Sequence, residues 1–327
     1  MMQDGIREVD RPKYLLTTTE LGRLIGQTAQ EVAESFDGQA LVTAPGGKVC
    51  IPPSLVKETL AARGVDYSFR VWAHVNMRGG IGKTISTITA ATRAAQYGFK
   101  TCILDLDPQA SASLAFDCIP ADDEPIFYDV WQRPAEMLLG ALKQIQDSLY
   151  ILPSLLDNAL LDISLQQPKS QRFAVAGVCE ELQKAGFDLV IIDCPPSLGG
   201  AVISTICAAH IIVVPIASDA FSFRGLDMTL DEIAAICETF RLPKPDVAAL
   251  LTRYVGRQRL SQAAQAKLEE NYADYLLPVT IRSSTAFSKA LERNQTVFAN
   301  ARRCTAREDY DRYVKHVLDM DFSEKGV

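Results

Sequence analysis

From residue 71 onward the chain alternates short apolar runs with longer stretches whose apolar residues recur at helical spacing. "VWAHV", "TCILDLD", "LYILPS", "DLVIIDC", "HIIVVPI" and "VAALLTR" are short, β-rich and apolar almost throughout, the pattern of strands buried on both faces. Between them lie segments such as "KTISTITAATRAAQYG" and "FRGLDMTLDEIAAICETF", long enough to cross back over a sheet as helices. The pattern predicts an α/β fold with a mostly parallel, doubly wound sheet. Ligands of such folds bind beyond the carboxyl ends of the strands, and the polar clusters fall there.

Residues 1–70 follow another rhythm. "TTTELGRLIG" predicts a helix that its threonines can cap, "TAQEVAESF" a second helix after a tight turn, "ALVTAPGGKVCI" a hairpin, and "SLVKETLAARG" a third helix ending at Gly64. This is the layout of a small winged helix-turn-helix-like domain, giving two units, residues 1–70 and 71–327.

Composition adds limits. The 327 residues, 48% hydrophobic and 22% charged, describe an ordinary globular chain with room for one large α/β unit and a small one. No apolar run approaches the roughly 20 residues of a membrane-spanning helix, and "MMQDGIREVDRPK" has no signal-peptide core, so a cytoplasmic protein is expected. The eight cysteines lack the paired spacing of a zinc knuckle or iron–sulfur cage, and several sit inside apolar runs as small hydrophobes. The net charge of −7 argues against a general nucleic-acid binder. Within that acidic chain, however, residues 251–303 hold nine basic and four acidic groups.

The chemistry concentrates in three places. "GGIGKT" follows a strand and opens a helix, the context in which a glycine-rich run turns consecutive N–H groups toward a phosphate. Lys83 would reach the β- and γ-phosphates and the Thr84 hydroxyl would ligate Mg²⁺, the arrangement of a P-loop NTPase. Asp193, at the end of "LVIID", suits a magnesium-bound water, since a hard cation prefers oxygen ligands and keeps several waters. Asp105 and Asp107 extend alternately beyond "CILDLD"; one can face the γ-phosphate and orient the attacking water, and Asp105 is a further candidate for the metal.

"NMRGGIGKTIST", "LDLDPQASAS", "DLVIIDCPPSLGG", "IIVVPIASDAFSFRGLD" and "LLTRYVGRQRLS…VTIRSSTAFSKAL" together resemble the ParA family of deviant Walker ATPases over residues 71 to about 317. The resemblance implies ATP and Mg²⁺ as cofactors, an ATP-sandwich homodimer, weak hydrolysis stimulated by a ParB-like adaptor, and nonspecific DNA binding on the nucleoid. By position, Gly79, Gly80, Ile81, Gly82, Lys83, Thr84 and Ile85 are similar to the family's phosphate loop, Asp107 to its water-positioning aspartate and Asp193 to its magnesium-supporting one. Where the family carries a signature lysine that crosses to the other subunit's nucleotide, this chain has Arg78. A guanidinium keeps the charge but is longer, planar and capable of bidentate contacts. Arg78 either reaches in trans like an arginine finger or is too bulky for the sandwich.

In the basic segment, Arg253, Arg257, Arg259, Arg282, Lys289 and Arg293 are the candidates for DNA phosphates; such contacts position without reading sequence and weaken with salt. The tail "DYDRYVKHVLDMDFSEKGV" ends in acidic residues, unlike the basic amphipathic helix of MinD-type relatives, which argues against membrane attachment. In "TAQEVAESF", Glu31 and Glu34 would repel DNA, which turns the N-terminal unit toward dimerisation or partner docking as much as operator reading. The expected function is DNA partition or positioning of a plasmid or chromosome. The alternatives are an ATP-switched transcriptional regulator and a positioning ATPase for a non-DNA cargo.

Overall fold

In the computed structural model, which describes residues 14–36, 41–44, 47–299 and 303–320, the apolar runs become neighbouring strands of one sheet. The strands are β4 (Arg70–His74), β5 (Thr101–Asp105), β6 (Lys143–Gln146), β7 (Leu149–Leu152), β8 (Leu189–Asp193), β9 (Ile211–Ile216), β10 (Asp246–Tyr254) and β11 (Leu276–Arg282). They follow three shorter N-terminal strands described below, and their spatial order is β11-β10-β9-β4-β8-β5-β7-β6. Every pairing in this order is parallel except β6 with β7. The expected mostly parallel sheet is present.

The helices between and after these strands are α4 (Lys83–Gln96), α5 (Ser111–Ala115), α6 (Phe127–Val130), α7 (Pro134–Ala141), α8 (Leu161–Ser164), α9 (Pro168–Lys184), α10 (Gly200–Ala208), α11 (Ala220–Phe240), α12 (Arg259–Asn271), α13 (Ala286–Leu291) and α14 (Thr305–Val317). Period-two alternation sorts each strand's side chains between two cores. Trp72, Ile103, Ile191 and Val213 lie on the face covered by α4 and α14. Ala73, Leu104, Ile192 and Val214 lie on the face covered by α9, α10 and α11. Both faces are therefore dry, which is why the strands read as continuous apolar runs.

The sequence pattern missed β6 and β11. "KQIQ" in β6 is four residues long with no apolar run, and β11 is an edge strand whose burial alternates and which carries Pro278. Proline is tolerated there because an edge needs no second ladder.

The N-terminal elements come in the expected order, with one added strand: β1 (Leu16–Thr17), α1 (Thr18–Ile25), α2 (Ala29–Ser35), β2 (Val42–Ala44), β3 (Lys48–Ile51) and α3 (Pro53–Ala61). β3 pairs antiparallel with both β1 and β2; the hairpin tip at Pro45 and Gly46 lies outside the described residues. Both helix starts carry capping boxes, Thr17 with Glu20 and Thr28 with Glu31, so two orphan N–H groups are satisfied at each. The turn between them is tight: a Cβ on Gly22 would lie 2.4 Å from the Gln27 carbonyl oxygen.

These elements pack on the sheet rather than standing apart. Leu16, Leu21, Ile51, Val56 and Leu60 share one core with Trp72, Ile88 and Tyr310. Lys57 of α3 pairs with Asp188 ahead of β8 at 2.7 Å. Glu20 of α1 joins Arg93 of α4 at 3.3 Å and Arg307 of α14 at 2.7 Å, and Arg93 continues to Asp311 at 2.6 Å. Arg93 and Arg307 are almost fully buried, so their charges depend on these partners.

Burial alone would raise Glu20, but Arg93, Arg307 and the Thr17 cap outweigh it and hold the carboxyl below its ordinary value. Asp311 is likewise raised by burial but drawn well below the usual range by Arg93 and Lys315. Depressed carboxylates contribute stability that is present above the unfolded value, near pH 4, and lost as pH falls through the folded values. Glu20→Gln is expected to lower stability at pH 7 by about 3 kcal/mol and to flatten the acid limb below about pH 4, measured by urea unfolding across pH.

Candidate functional site

The site forms where β4, β5, β8 and β10 end. After β4 the chain enters the loop Asn76–Gly82, in which Gly80 and Gly82 take φ of +73° and +98°. A side chain would be strained at both, and the two positions let the backbone curl its N–H groups inward. Gly82 is the residue before α4, so the 14-residue helix points its positive end into this curl. Neighbouring strands brace the loop. The Thr252 hydroxyl of β10 donates to the Ile81 carbonyl at 2.8 Å, and the Asn76 amide donates to the Pro215 carbonyl at 2.9 Å.

Lys83 is buried, and its ammonium donates to the Arg78 carbonyl at 2.7 Å, folded back over its own loop. Burial lowers its pKa, opposed by the negative field of Asp193, Cys194 and Asp107. A phosphate placed in the loop would offer this ammonium stronger, charged acceptors.

Asp105 and Asp193 end adjacent strands in direct register, and neither is exposed to solvent. Burial pushes both carboxyls well above the usual range; for Asp193 repulsion from Asp105 adds to it and a hydrogen bond from Thr84 opposes it. Their surroundings differ. Asp105 accepts from the Ser113 N–H and hydroxyl at 2.9 and 2.7 Å and from the Asp107 N–H at 3.3 Å. Asp193 keeps one oxygen, Oδ2, buried with no partner. A cation or its bound water would satisfy that oxygen, so Thr84 and Asp193 fit a hydrated divalent metal. Asp105, also a candidate for the metal, differs in having both oxygens engaged by the turn that carries Asp107.

Asp107 lines the same cleft, nearly buried, with one carboxylate oxygen accepting the Gln109 N–H at 2.9 Å. Its backbone carbonyl is tied to the Ser154 hydroxyl at 2.7 Å. The carboxylate is thereby aimed and held rather than free to swing.

The cleft encloses about 500 Å³. Gly79, Gly80, Gly82, Lys83, Thr84, Ile85 and Asp107 line one side, and Arg253, Arg282, Ser283, Phe287 and Tyr310 another. Ile81 is buried and supports the loop from behind. Two of the DNA candidates are therefore elsewhere than expected. Arg253 donates to the Gly80 carbonyl at 2.9 Å, and Arg282 is clamped on fully buried Asp309 by hydrogen bonds of 2.6–3.1 Å. Arg257, Arg259, Lys289 and Arg293 are exposed.

Arg78 turns away from the cleft within its own chain. Its guanidinium pairs with Asp219 and donates to the Ser222 hydroxyl at 2.9 Å at the start of α11, with its side chain 39% exposed. The pattern reading also missed a buried chain behind the site. Tyr313 of α14 bonds His74 Nε2 at 2.8 Å, His74 Nδ1 bonds the Thr87 hydroxyl at 3.0 Å, and Thr87 lies 3.4 Å from Asp193. Burial holds the His74 imidazole neutral, with its pKa pushed down to about 3. The one signal available was a histidine inside an otherwise apolar strand, "VWAHV".

A family model described as an AAA domain matches residues 69–244. The chain is similar to the cell division protein PomZ of Myxococcus xanthus, 26% identical over 244 residues, 75% of this chain and 76% of that protein. It is also similar to the chromosome partitioning protein ParA of Caulobacter vibrioides, 25% identical over 254 residues, 77% of this chain and 95% of that protein. Among solved structures, an ATP complex of McdA from Cyanothece matches with a TM-score of 0.69 at 20% identity, covering 77% of this chain and 97% of that one.

The orphaned oxygen makes Asp193 a cost to the empty fold. Asp193→Asn is expected to stabilise the ligand-free protein at pH 7.5 by about 1–2 kcal/mol, read as a higher urea midpoint. An aspartate with a purely structural role would instead lose stability on this change.

Proposed function

The chain belongs to this AAA-domain family, among the ParA/MinD ATPases, and from that premise we propose that it is an ATP-dependent partition or positioning ATPase. The observation that carries the reading is the convergence of a phosphate-curling loop, a buried lysine and a partnerless buried carboxylate oxygen on one cleft.

In this reading the triphosphate lies in Gly79–Thr84, and Lys83 leaves the Arg78 carbonyl for the β- and γ-phosphates. Thr84 and, through a water, Asp193 would hold Mg²⁺, which would supply neutralisation of the charge between the β- and γ-phosphates. Asp107 orients the attacking water; its carboxylate accepts the Gln109 N–H and its carbonyl is tied to Ser154, so the group is held where it can position that water. Asp105 positions Asp107 through the shared turn. Arg253 and Arg282 sit at the cleft's far wall, where a nucleotide reaches them before any DNA does.

Dimerisation needs Arg78 to exchange Asp219 and Ser222 for phosphate oxygens across the subunit interface. Such an exchange swaps one charge-assisted contact for another, so the arginine is compatible with the trans role. The ATP-bound dimer then holds DNA without sequence preference through Arg257, Arg259, Lys289 and Arg293, and a ParB-like adaptor triggers hydrolysis and release. Glu31 and Glu34 on the exposed α2 oppose groove binding, which turns the N-terminal unit toward docking or dimerisation.

Light scattering with ATP and Mg²⁺ separates the roles. Wild type is expected to form a dimer. Lys83→Ala should bind ATP about 100-fold more weakly, and Arg78→Ala should bind ATP within a few-fold of wild type yet remain a monomer. A fully dimeric Arg78→Ala protein overturns the trans contact. Changing Arg257, Arg259 and Arg293 together to Ala is expected to weaken dimer–DNA binding at least tenfold and to reduce its salt dependence.

A further inference from the structure

A second cavity, larger than the cleft, lies elsewhere among the described residues. It encloses about 680 Å³ between α1, the β2–β3 hairpin, α4 and α14. Six cations line it, Arg23, Lys48, Arg93, Arg303, Arg307 and Lys315, against the three carboxylates of Glu20, Glu308 and Asp311. The surplus is positive in a chain whose net charge is −7.

The cations have two kinds of placement. Arg93 and Arg307 form the floor, 4% and 7% exposed, with both guanidiniums over the Phe298 ring at 5.0 and 4.8 Å. They share a single Glu20 oxygen and Arg93 also pairs with Asp311, so the floor is balanced and the positive surplus of the cavity lies at its rim. Burial lowers the Arg307 pKa, Glu20 opposes it, and repulsion from Arg93 adds to it. At the rim, Arg23 and Lys48 are exposed and make no side-chain bond or ion pair among the described residues, while Arg303 lies a loose 3.7 Å from Glu308. Holding the N-terminal elements on the sheet needs Glu20 and the floor; it does not need the rim cations.

We propose that this cavity binds a small molecule carrying two or more phosphate groups, with its phosphates on the rim cations Arg23, Lys48 and Arg303 above the ion-paired floor. The volume falls within the roughly 300–1,000 Å³ of small-molecule sites. Arginine-rich, partly desolvated walls select phosphate oxygens over weaker anions. A duplex could touch the rim, but its backbone phosphates would not reach the recessed floor.

Occupancy would be felt at the cleft, because both walls are helices that continue there. α4 starts at Lys83 and carries Arg93 into the cavity. α14 places Arg307 and Asp311 in the cavity, and Asp309 and Tyr310 toward the cleft, where Asp309 holds Arg282 and the Tyr310 hydroxyl bonds Ser86 of α4 at 2.9 Å. Ligand-induced change in affinity at one site then appears equally at the other.

The binding claim stands without the ATPase reading; the coupling clause rests on it. The test is calorimetric titration of the full chain with inorganic tripolyphosphate, after the cleft is saturated with a non-hydrolysable ATP analogue and Mg²⁺. One further equivalent is expected to bind, weakened about tenfold or more by the exposed pair of changes Arg23→Gln and Lys48→Gln, with the melting temperature unchanged. With Mg²⁺ in excess, tripolyphosphate should shift the analogue's Kd more in wild type than in the double variant, where only competition for the phosphate loop remains. No second equivalent, equal binding to the double variant, or displacement by sulfate at matched ionic strength overturns the site. Displacement by short duplex DNA assigns the surface to DNA and overturns the small-molecule claim. An analogue Kd that shifts equally in the two proteins, with the second equivalent present in wild type, overturns the coupling alone. Failure of the analogue to bind at all overturns the ATPase reading, and the tripolyphosphate equivalent is then read directly in the double-variant comparison.

Discussion

The structure depends on a desolvated carboxylate. Asp193 ends a strand that is buried on both sides, beside Asp105 in register, and one of its oxygens has no partner. A parallel sheet covered on both faces leaves its carboxyl edge as the place where such a group can meet a ligand. Burial disfavours the charged form, and a divalent cation restores it. The phosphate loop, Lys83 and Thr84 surround this carboxyl. The chain His74, Thr87 and Tyr313 anchors it from behind.

The same logic runs through the rest of the molecule at lower stakes. Lys83 parks on a loop carbonyl, Arg78 on Asp219 and Ser222, and Arg282 on Asp309. Under the proposed function Lys83 would exchange a neutral carbonyl for a charged phosphate, whereas Arg78 would exchange one charge-assisted contact for another. Arg93 differs. Locked between Glu20 and Asp311, it ties the N-terminal elements to α4 and α14, so those elements are mechanically continuous with the helix that begins at the phosphate loop.

Much of this was legible in the residues because it is local. The six apolar runs became strands, and the glycine loop with its lysine and threonine lies where a strand–loop–helix pattern requires it. The capping threonines act as their spacing implies. What was hidden depends on partners far away in the chain. Nothing near Arg282 reveals Asp309, so a run of basic residues looked like an open face although two of its members wall the cleft. The spacing of Asp105 could not show that Ser113, eight residues on, bonds one of its oxygens. β11 was missed because an edge strand alternates and tolerates Pro278, and nothing local marked Glu20 as the bridge between two buried arginines.

The central claim is that the cleft is completed by a magnesium nucleotide at Asp193. Titrating the wild-type protein with ATP in magnesium and again in excess chelator tests it most directly. The account predicts that magnesium tightens ATP binding at least about tenfold, the effect of one charge-assisted contact at a desolvated carboxylate. Equal affinity in the two titrations would contradict it.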